Sequence, residues 1–230
     1  MPYLSAPDPA LEAPLVDQVR LVRIGERVRA RLEADPGAYK VAVDRAEIWA
    51  LGEFLSPAEC DRFMALVDSV AKPSAVFDVA TQAAFRTSYS GDVDRHDPFV
   101  RSIERRLDDL LGMDPDQGET VQGQRYLAGQ EFRAHCDWFW TLADYWPQEA
   151  KRGGQRSWTA MIYLNDVEEG GQTDFVRIGV SVPPQRGALL VWNNATPAGE
   201  PNWDTMHAAL PVIRGSKYVI TKWYRARRWG

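Results

Sequence analysis

The sequence predicts a mainly β protein with flanking helices: an antiparallel sandwich or jelly roll preceded by helical support. Three observations carry this expectation. Up to about residue 118 the apolar residues recur largely at helical spacing. Beyond Gly118, short alternating or apolar segments recur, punctuated by Gly, Pro and Asn. The chain has 230 residues, 45% of them apolar and 26% charged, enough to bury one sizeable core. A single domain over 1–230 is expected, with 1–118 as mostly helical support carrying one or two strands and 119–230 as the jelly-roll core.

The elements follow in order. The first 14 residues are rich in Pro and Ala and read as irregular. Over 15–34, Leu15, Val16, Val19, Val22, Ile24 and Val28 fall at roughly helical spacing among arginines, an amphipathic surface helix. Residues 41–55 partly alternate and read as strand, with a turn at Gly52. Ser56-Pro57-Ala58-Glu59 is a capping box with proline in the first turn, opening a helix that runs to about Ala71. Asp97 caps a further helix over 98–111, and Gly112 stops it. Eight short strands are expected at 120–127, 131–139, 157–164, 172–176, 179–182, 187–193, 205–209 and 217–225.

Composition narrows the function. The net charge is −5, and the longest basic run, Arg225-Ala226-Arg227-Arg228, reads as a solvated terminus, so no nucleic-acid partner is expected. Apolar runs reach about five residues against the roughly 20 of a membrane helix, so no membrane span is expected. The start, MPYLSAPDPALEAP, has neither a basic nor an apolar leader region. With two cysteines, Cys60 and Cys136, a reducing cytoplasmic location is expected.

The chain has nine tryptophans but three histidines, His96, His135 and His207, so histidine chemistry must be built from those three. On a strand over 131–139, His135 and Asp137 share one pleat face about 7 Å apart, with Cys136 on the other. Such a pair can chelate one ion, and His207, on a returning strand, is the candidate third ligand. Two histidines and a carboxylate leave coordination positions open, the arrangement of non-haem Fe(II) oxygenases. His-x-Asp alone reads equally as a surface pair on an ordinary strand. Lys217 is placed on one strand face with Val219, Thr221 and Trp223. Directed inward it needs an anion, because an unpaired buried ammonium is costly; otherwise it simply opens an exposed strand. His96 reads as a loop residue beside the cap Asp97, and Asp204 as an ordinary loop aspartate.

From Arg86 to Trp223 the chain resembles the prolyl 4-hydroxylases of the collagen and plant type, within the 2-oxoglutarate/Fe(II) dioxygenases. The resemblance rests on pieces in the family's order: Arg86-Thr87-Ser88; Gln124-Arg125-Tyr126 with Gly129-Gln130 and His135-x-Asp137; Gly153-Gly154-Gln155-Arg156; the run Tyr163 to Phe175; Gln185 to Trp192; His207-Ala208-Ala209; and Gly215-x-Lys217-x-Val219. It implies a double-stranded β-helix, with Fe(II) held by His135, Asp137 and His207. Lys217 would pair with the distal carboxylate of 2-oxoglutarate, Tyr163 and Thr173 would line that pocket, and Tyr126 and Trp223 would stand beside it. Also implied are O2 as oxidant, ascorbate as reductant, succinate and CO2 as co-products, and a peptide or protein substrate hydroxylated at proline C4. The chain departs from the family at Asp174, and its metal strand continues as Trp138-Phe139-Trp140, more aromatic than usual. The segment 141–157 adds Tyr145 and Trp146, a lid or substrate wall in which Trp138, Trp140, Tyr145 and Trp146 could stack on a proline ring. Two alternatives stay open: hydroxylation of another peptide residue, a free amino acid or a small metabolite, and a non-catalytic metal- or ligand-binding jelly roll. A halogenating relative would lack the carboxylate that Asp137 supplies.

Overall fold

The computed structural model describes residues 17–74 and 85–230. The expected irregular segment over 1–14 and the helix start at Leu15 and Val16 lie outside the described residues. Asp17 accepts the Arg20 N–H and caps helix α1 (Gln18–Ala34), whose Leu21, Ile24, Val28 and Leu32 are buried along one stripe, while Val19 lies on the solvent side. Strands β1 (Ala38–Lys40) and β2 (Ile48–Leu51) form a hairpin. The reciprocal Ser56–Glu59 capping box is present at α2 (Pro57–Val70), and Asp97 caps α3 (Pro98–Leu111). Gly112 ends α3 at φ 61°, a left-handed conformation that glycine adopts without a Cβ penalty.

The remaining strands are β3 (Lys72–Pro73), β4 (Tyr89–Asp92), β5 (Gln122–Tyr126), β6 (Phe132–His135), β7 (Arg156–Tyr163), β8 (Glu169–Gly170), β9 (Thr173–Phe175), β10 (Val180–Val182), β11 (Leu189–Asn193), β12 (His207–Ala209), β13 (Val212–Arg214) and β14 (Lys217–Arg225). They form an eight-stranded sheet in the order β1-β2-β11-β7-β14-β5-β4-β3, a four-stranded sheet β10-β9-β12-β6, and the pair β13-β8; every pairing is antiparallel. This is the mainly β jelly roll with flanking helices that the sequence predicts.

Period-two alternation sorts the central strands into two faces. From β7, Trp158, Ala160 and Ile162 join Leu189, Val191, Ile220 and Tyr224 in a core under the three helices, against Phe63, Val67, Ile103 and Leu107. From the same strands Met161, Tyr163, Leu190, Trp192 and Val219 turn to the smaller sheet and pack with Phe175 and Phe132. The site is built on this second face, where polar side chains replace part of the core.

Several elements differ from expectation. The strand expected over 131–139 ends at His135. Its continuation makes no ladder bonds, because the Gln155 side-chain amide takes both the N–H and the C=O of Phe139, at 2.9 and 2.7 Å. His135 and Asp137 therefore do not share a pleat face; the chain turns, and Asp137 sits on the bend. The segment over 141–157 carries an unforeseen short helix, α4 (Trp146–Lys151), whose Trp146 is core and not part of a substrate wall. The strands β1, β3, β4, β8 and β13 were not anticipated. They have two to four residues each, too short for a period to show.

Candidate active site

The pairing of β12 with β6 sets His207 directly opposite His135, with ring centroids 4.4 Å apart. The His135 Nδ1 lies 2.9 Å from the Arg133 carbonyl and the His207 Nδ1 3.0 Å from the Thr205 carbonyl. A carbonyl only accepts, so each Nδ1 carries the proton and each Nε2 presents its lone pair. Phe132 stacks on His135 at 3.6 Å, and Trp192 packs edge-on to His207 at 4.8 Å, fixing both rings. Asp137 Oδ2 accepts from Thr159 Oγ1 at 2.7 Å, and Thr159 Oγ1 in turn accepts from Asn194 Nδ2 at 2.9 Å. One ligand atom from each of His135, Asp137 and His207 lies within 4.8 Å of the others.

Burial, reinforced by the neighbouring His207, pushes the His135 imidazole down to about 3. Burial also opposes the charge of Asp137, but His207, His135, Arg156 and the Thr159 hydroxyl outweigh it and hold its carboxyl below the usual range. A neutral imidazole beside an ionised carboxylate is the state in which both bind a metal. The donor set, two nitrogens and one hard oxygen, fits Fe(II).

Across the same cleft, of about 890 Å³, β14 directs Lys217 inward, along with Val219, Thr221 and Trp223, the face the alternation predicts. Lys217 is 1% exposed. Its Nζ lies 3.5 Å from Thr173 Oγ1, and 5.4 and 5.5 Å from the rings of Tyr126 and Tyr163. Tyr163 donates to Thr173 at 2.7 Å, and Tyr126 donates to Gln124 at 2.8 Å. Among the described residues no carboxylate pairs with Lys217, and burial alone pushes its ammonium down to about 7. A cation so placed fits a carboxylate ligand.

Trp223 lines the cleft under the Arg156 guanidinium, 4.0 Å above its ring. Trp140 reaches the mouth 45% exposed, stacked at 5.0 Å on Trp203, and Leu142 beside it is 62% exposed. His96 is exposed, its N–H bonded to Asp94, and Asp204 pairs with Arg45, so neither joins the cluster. Cys136 packs against the small cluster of Leu21, Trp138, Ala195 and Ala226, and burial pushes its thiol up to about 12. Residue reasoning gave no role to Thr159, Phe132, Arg86 or Arg156, all of which touch the site. Arg156 forms a bidentate pair with Glu119 at 2.7 and 2.8 Å and lies 4.0 Å from Asp137. Arg156 opens β7, whose other seven residues are all buried, a setting that the structure shows and the strand's mixed composition does not.

A jelly roll carrying a His–Asp–His cluster across a cleft from a buried lysine that no carboxylate among the described residues pairs defines a class, and the comparisons agree with it. The profile of the 2OG-Fe(II) oxygenase superfamily matches residues 121–225. The chain is 32% identical to a probable prolyl 4-hydroxylase of Arabidopsis thaliana, over 76% of this chain and 67% of that protein. It is 33% identical to the prolyl 4-hydroxylase subunit alpha-1 of Rattus norvegicus, over 80% of this chain but 35% of that longer subunit. The chain belongs to the 2OG-Fe(II) oxygenase superfamily, among its prolyl 4-hydroxylase-like members. Among solved structures it is similar to the 2-oxoglutarate complex of a viral collagen prolyl hydroxylase from Paramecium bursaria Chlorella virus-1 (TM-score 0.60, 26% identity, covering 76% of this chain and 94% of that one). A Pseudomonas putida prolyl-4-hydroxylase shares the fold (TM-score 0.54, 21% identity, 89% of this chain and 98% of that one).

Proposed function

We propose that this chain is a 2-oxoglutarate- and Fe(II)-dependent hydroxylase of peptidyl proline, acting at C4. The observation that carries the reading is the pairing, in one cleft, of the His135–Asp137–His207 cluster, its Asp137 and His207 buried, with Lys217, which has no carboxylate partner among the described residues. His135, Asp137 and His207 would hold the iron, and Lys217 with Thr173 would receive the distal carboxylate of 2-oxoglutarate. When bound, iron with 2-oxoglutarate and O2 supplies the oxidant that converts a substrate C–H to C–OH, with succinate and CO2 as co-products. The chain's own part is positioning and exclusion. The two Nδ1–carbonyl bonds aim the imidazoles, Thr159 and Asn194 aim the carboxylate, and Phe132, Trp192 and Phe175 keep water from the ligands. Tyr126 and Tyr163 wall the ammonium of Lys217, and Trp223 lines the same cleft under Arg156.

The peptide substrate is supported by the relatives' names and by a cleft large enough for several residues, with Trp140 and Leu142 exposed at its mouth. Ascorbate as reductant, a cytoplasmic location suited to the free thiols of Cys60 and Cys136, and the absence of nucleic-acid and membrane partners belong to the same proposal. No helix among the described residues is long and apolar enough to cross a membrane. The test supplies purified protein with Fe(II), ascorbate, 2-oxoglutarate and a library of peptides and free amino acids, and reads succinate together with a single added oxygen by mass spectrometry. Oxygen added to peptidyl proline supports the proposal. Protein that binds metal but neither binds nor consumes 2-oxoglutarate would overturn it.

A further inference from the structure

The run Arg225-Ala226-Arg227-Arg228 reads in the sequence as solvated, and the structure docks it instead. Arg225 and Ala226 are each 2% exposed. As β14 ends, the chain crosses the turn Gly153-Gly154-Gln155. Ala226 N–H donates to the Gln155 carbonyl at 2.8 Å, and Arg227 N–H to the Gly153 carbonyl at 2.9 Å. Arg225 Nη1 donates to the Gly154 carbonyl at 2.6 Å, and the Arg227 guanidinium donates to the Ala150 carbonyl in α4. The turn is shaped for this approach. Gly153 and Gly154 hold φ 131° and 76°, and a Cβ on Gly154 would lie 3.2 Å from Arg227 Nη2. Further on, Trp229 N–H donates to the Asp116 carbonyl at 2.7 Å, and its ring centroid lies 5.5 and 5.7 Å from the guanidiniums of Arg95 and Arg152.

What this segment holds matters because the three cluster residues are not held alike. The β6–β12 pairing sets His135 and His207. Asp137 follows the end of β6, on a bend fixed by the Gln155 side chain at Phe139 and by the packing of Trp138 and Phe139. Each of those holds leads back to the docked segment. Ala226 bonds the Gln155 backbone and shares a small buried cluster with Trp138, and the Arg225 guanidinium lies 4.5 Å over the Phe139 ring. A bend held by a few bonds outside the ladder opens locally well before the sheet does. Fastening it lowers the cost of ordering the carboxylate when a metal arrives. We propose that residues 225–229 form a strap that positions Asp137, with Arg227 and Trp229 as the positioning residues that fasten it. This rests on the oxygenase reading above and deepens it: the histidines are set by a strand pair, the carboxylate by a segment docked from the far end of β14.

The strap is loosened by the double variant Arg227→Ala/Trp229→Ala, with Arg227→Lys/Trp229→Phe as its conservative counterpart. Arg227 is exposed and Trp229 half-buried, so neither change opens the core. Two readouts are taken on the full chain: amide hydrogen exchange of the metal-free protein by mass spectrometry, and titration with Co(II) as the probe metal. In the double variant, exchange over 137–155 should quicken by about tenfold or more while β6 and β12 keep the wild-type rate. Co(II) should bind about tenfold more weakly, and its visible absorption should move toward that of Asp137→Ala, where the carboxylate is missing. The conservative variant should keep most of the protection and the affinity. Unchanged exchange over 137–155, or unchanged Co(II) affinity, overturns the proposal. Exchange that quickens equally in β6 and β12 also overturns it, by making the segment a brace of the whole sheet. Wild-type protein that binds no Co(II) instead removes the oxygenase reading, and the exchange comparison then decides the strap by itself.

Discussion

Lys217 shows how a single side chain can be held at a cost that only a ligand relieves. Burial pushes it down to about 7, from 10.5 in an exposed lysine. Between those values the unfolded chain holds the proton and the folded chain does not, so this group's contribution to stability rises with pH across that window. A carboxylate restores the charge, so 2-oxoglutarate binding should take up a proton above about pH 7 and weaken as pH rises, by up to about tenfold per unit. Calorimetry between pH 6.5 and 9 checks this, and Lys217→Met should flatten the profile while lowering affinity by about 2–5 kcal/mol. Metal affinity should change little in that variant; equal loss of both would make Lys217 structural. Thr159→Val removes the hydroxyl that orients Asp137 and should weaken metal binding by about 10–100-fold. His135, Asp137, His207 and Lys217 were legible because the chain has three histidines to choose from and because the family resemblance brings Lys217 into register with them. Thr159 and Phe132 were not, since a threonine or phenylalanine in a strand has many uses and only contact distinguishes them.

At the scale of elements, α2 and α3 were legible in detail because their signals are local, whereas α4, with no side-chain cap, was not. The Ser56–Glu59 capping box and Asp97 with Gly112 bracket α2 and α3 as expected. The end of β6 was not, because it depends on Gln155, 16 positions beyond Phe139. Gln155→Leu strands both backbone groups of Phe139 and should cost about 1–3 kcal/mol. A thermal melt together with metal affinity reads the loss of stability and the displacement of Asp137. Gly187, at φ 80°, leads into β11, and a Cβ there would lie 2.3 Å from the Leu55 carbonyl oxygen. Gly187→Ala should therefore lower stability by about 1–3 kcal/mol in denaturant melts, by strain and by displacing the bond between Leu55 N–H and the Gly187 carbonyl.

Across the whole molecule, charge links regions that the sequence keeps far apart. Glu119, just before β5, accepts from Arg156 of β7 and from Arg225 at the end of β14, and Arg225 also pairs with Glu149 of α4. This buried network ties the segment at the cleft mouth to the strand that carries Lys217, and through Arg156 it reaches Asp137. Glu149→Ala leaves Arg225 half-paired and should cost about 3–5 kcal/mol of stability, read by chemical denaturation, with metal affinity changing far less. The sequence by itself determined the class of fold, the boundaries of α2 and α3 and the face that Lys217 shares with Val219, Thr221 and Trp223, and through the family resemblance it pointed to the cluster residues. These depend on local periodicity, on caps, and on which side chains can bind a metal at all. Only the tertiary structure decided that Asp137 reaches the cluster from a bend, that Arg156 is neutralised by Glu119, and that Arg225, in a run that reads as solvated, is buried against Glu119 and Glu149. The physical reason is that the state of a buried charge depends on partners brought in from distant strands, and no pattern along the chain reports them.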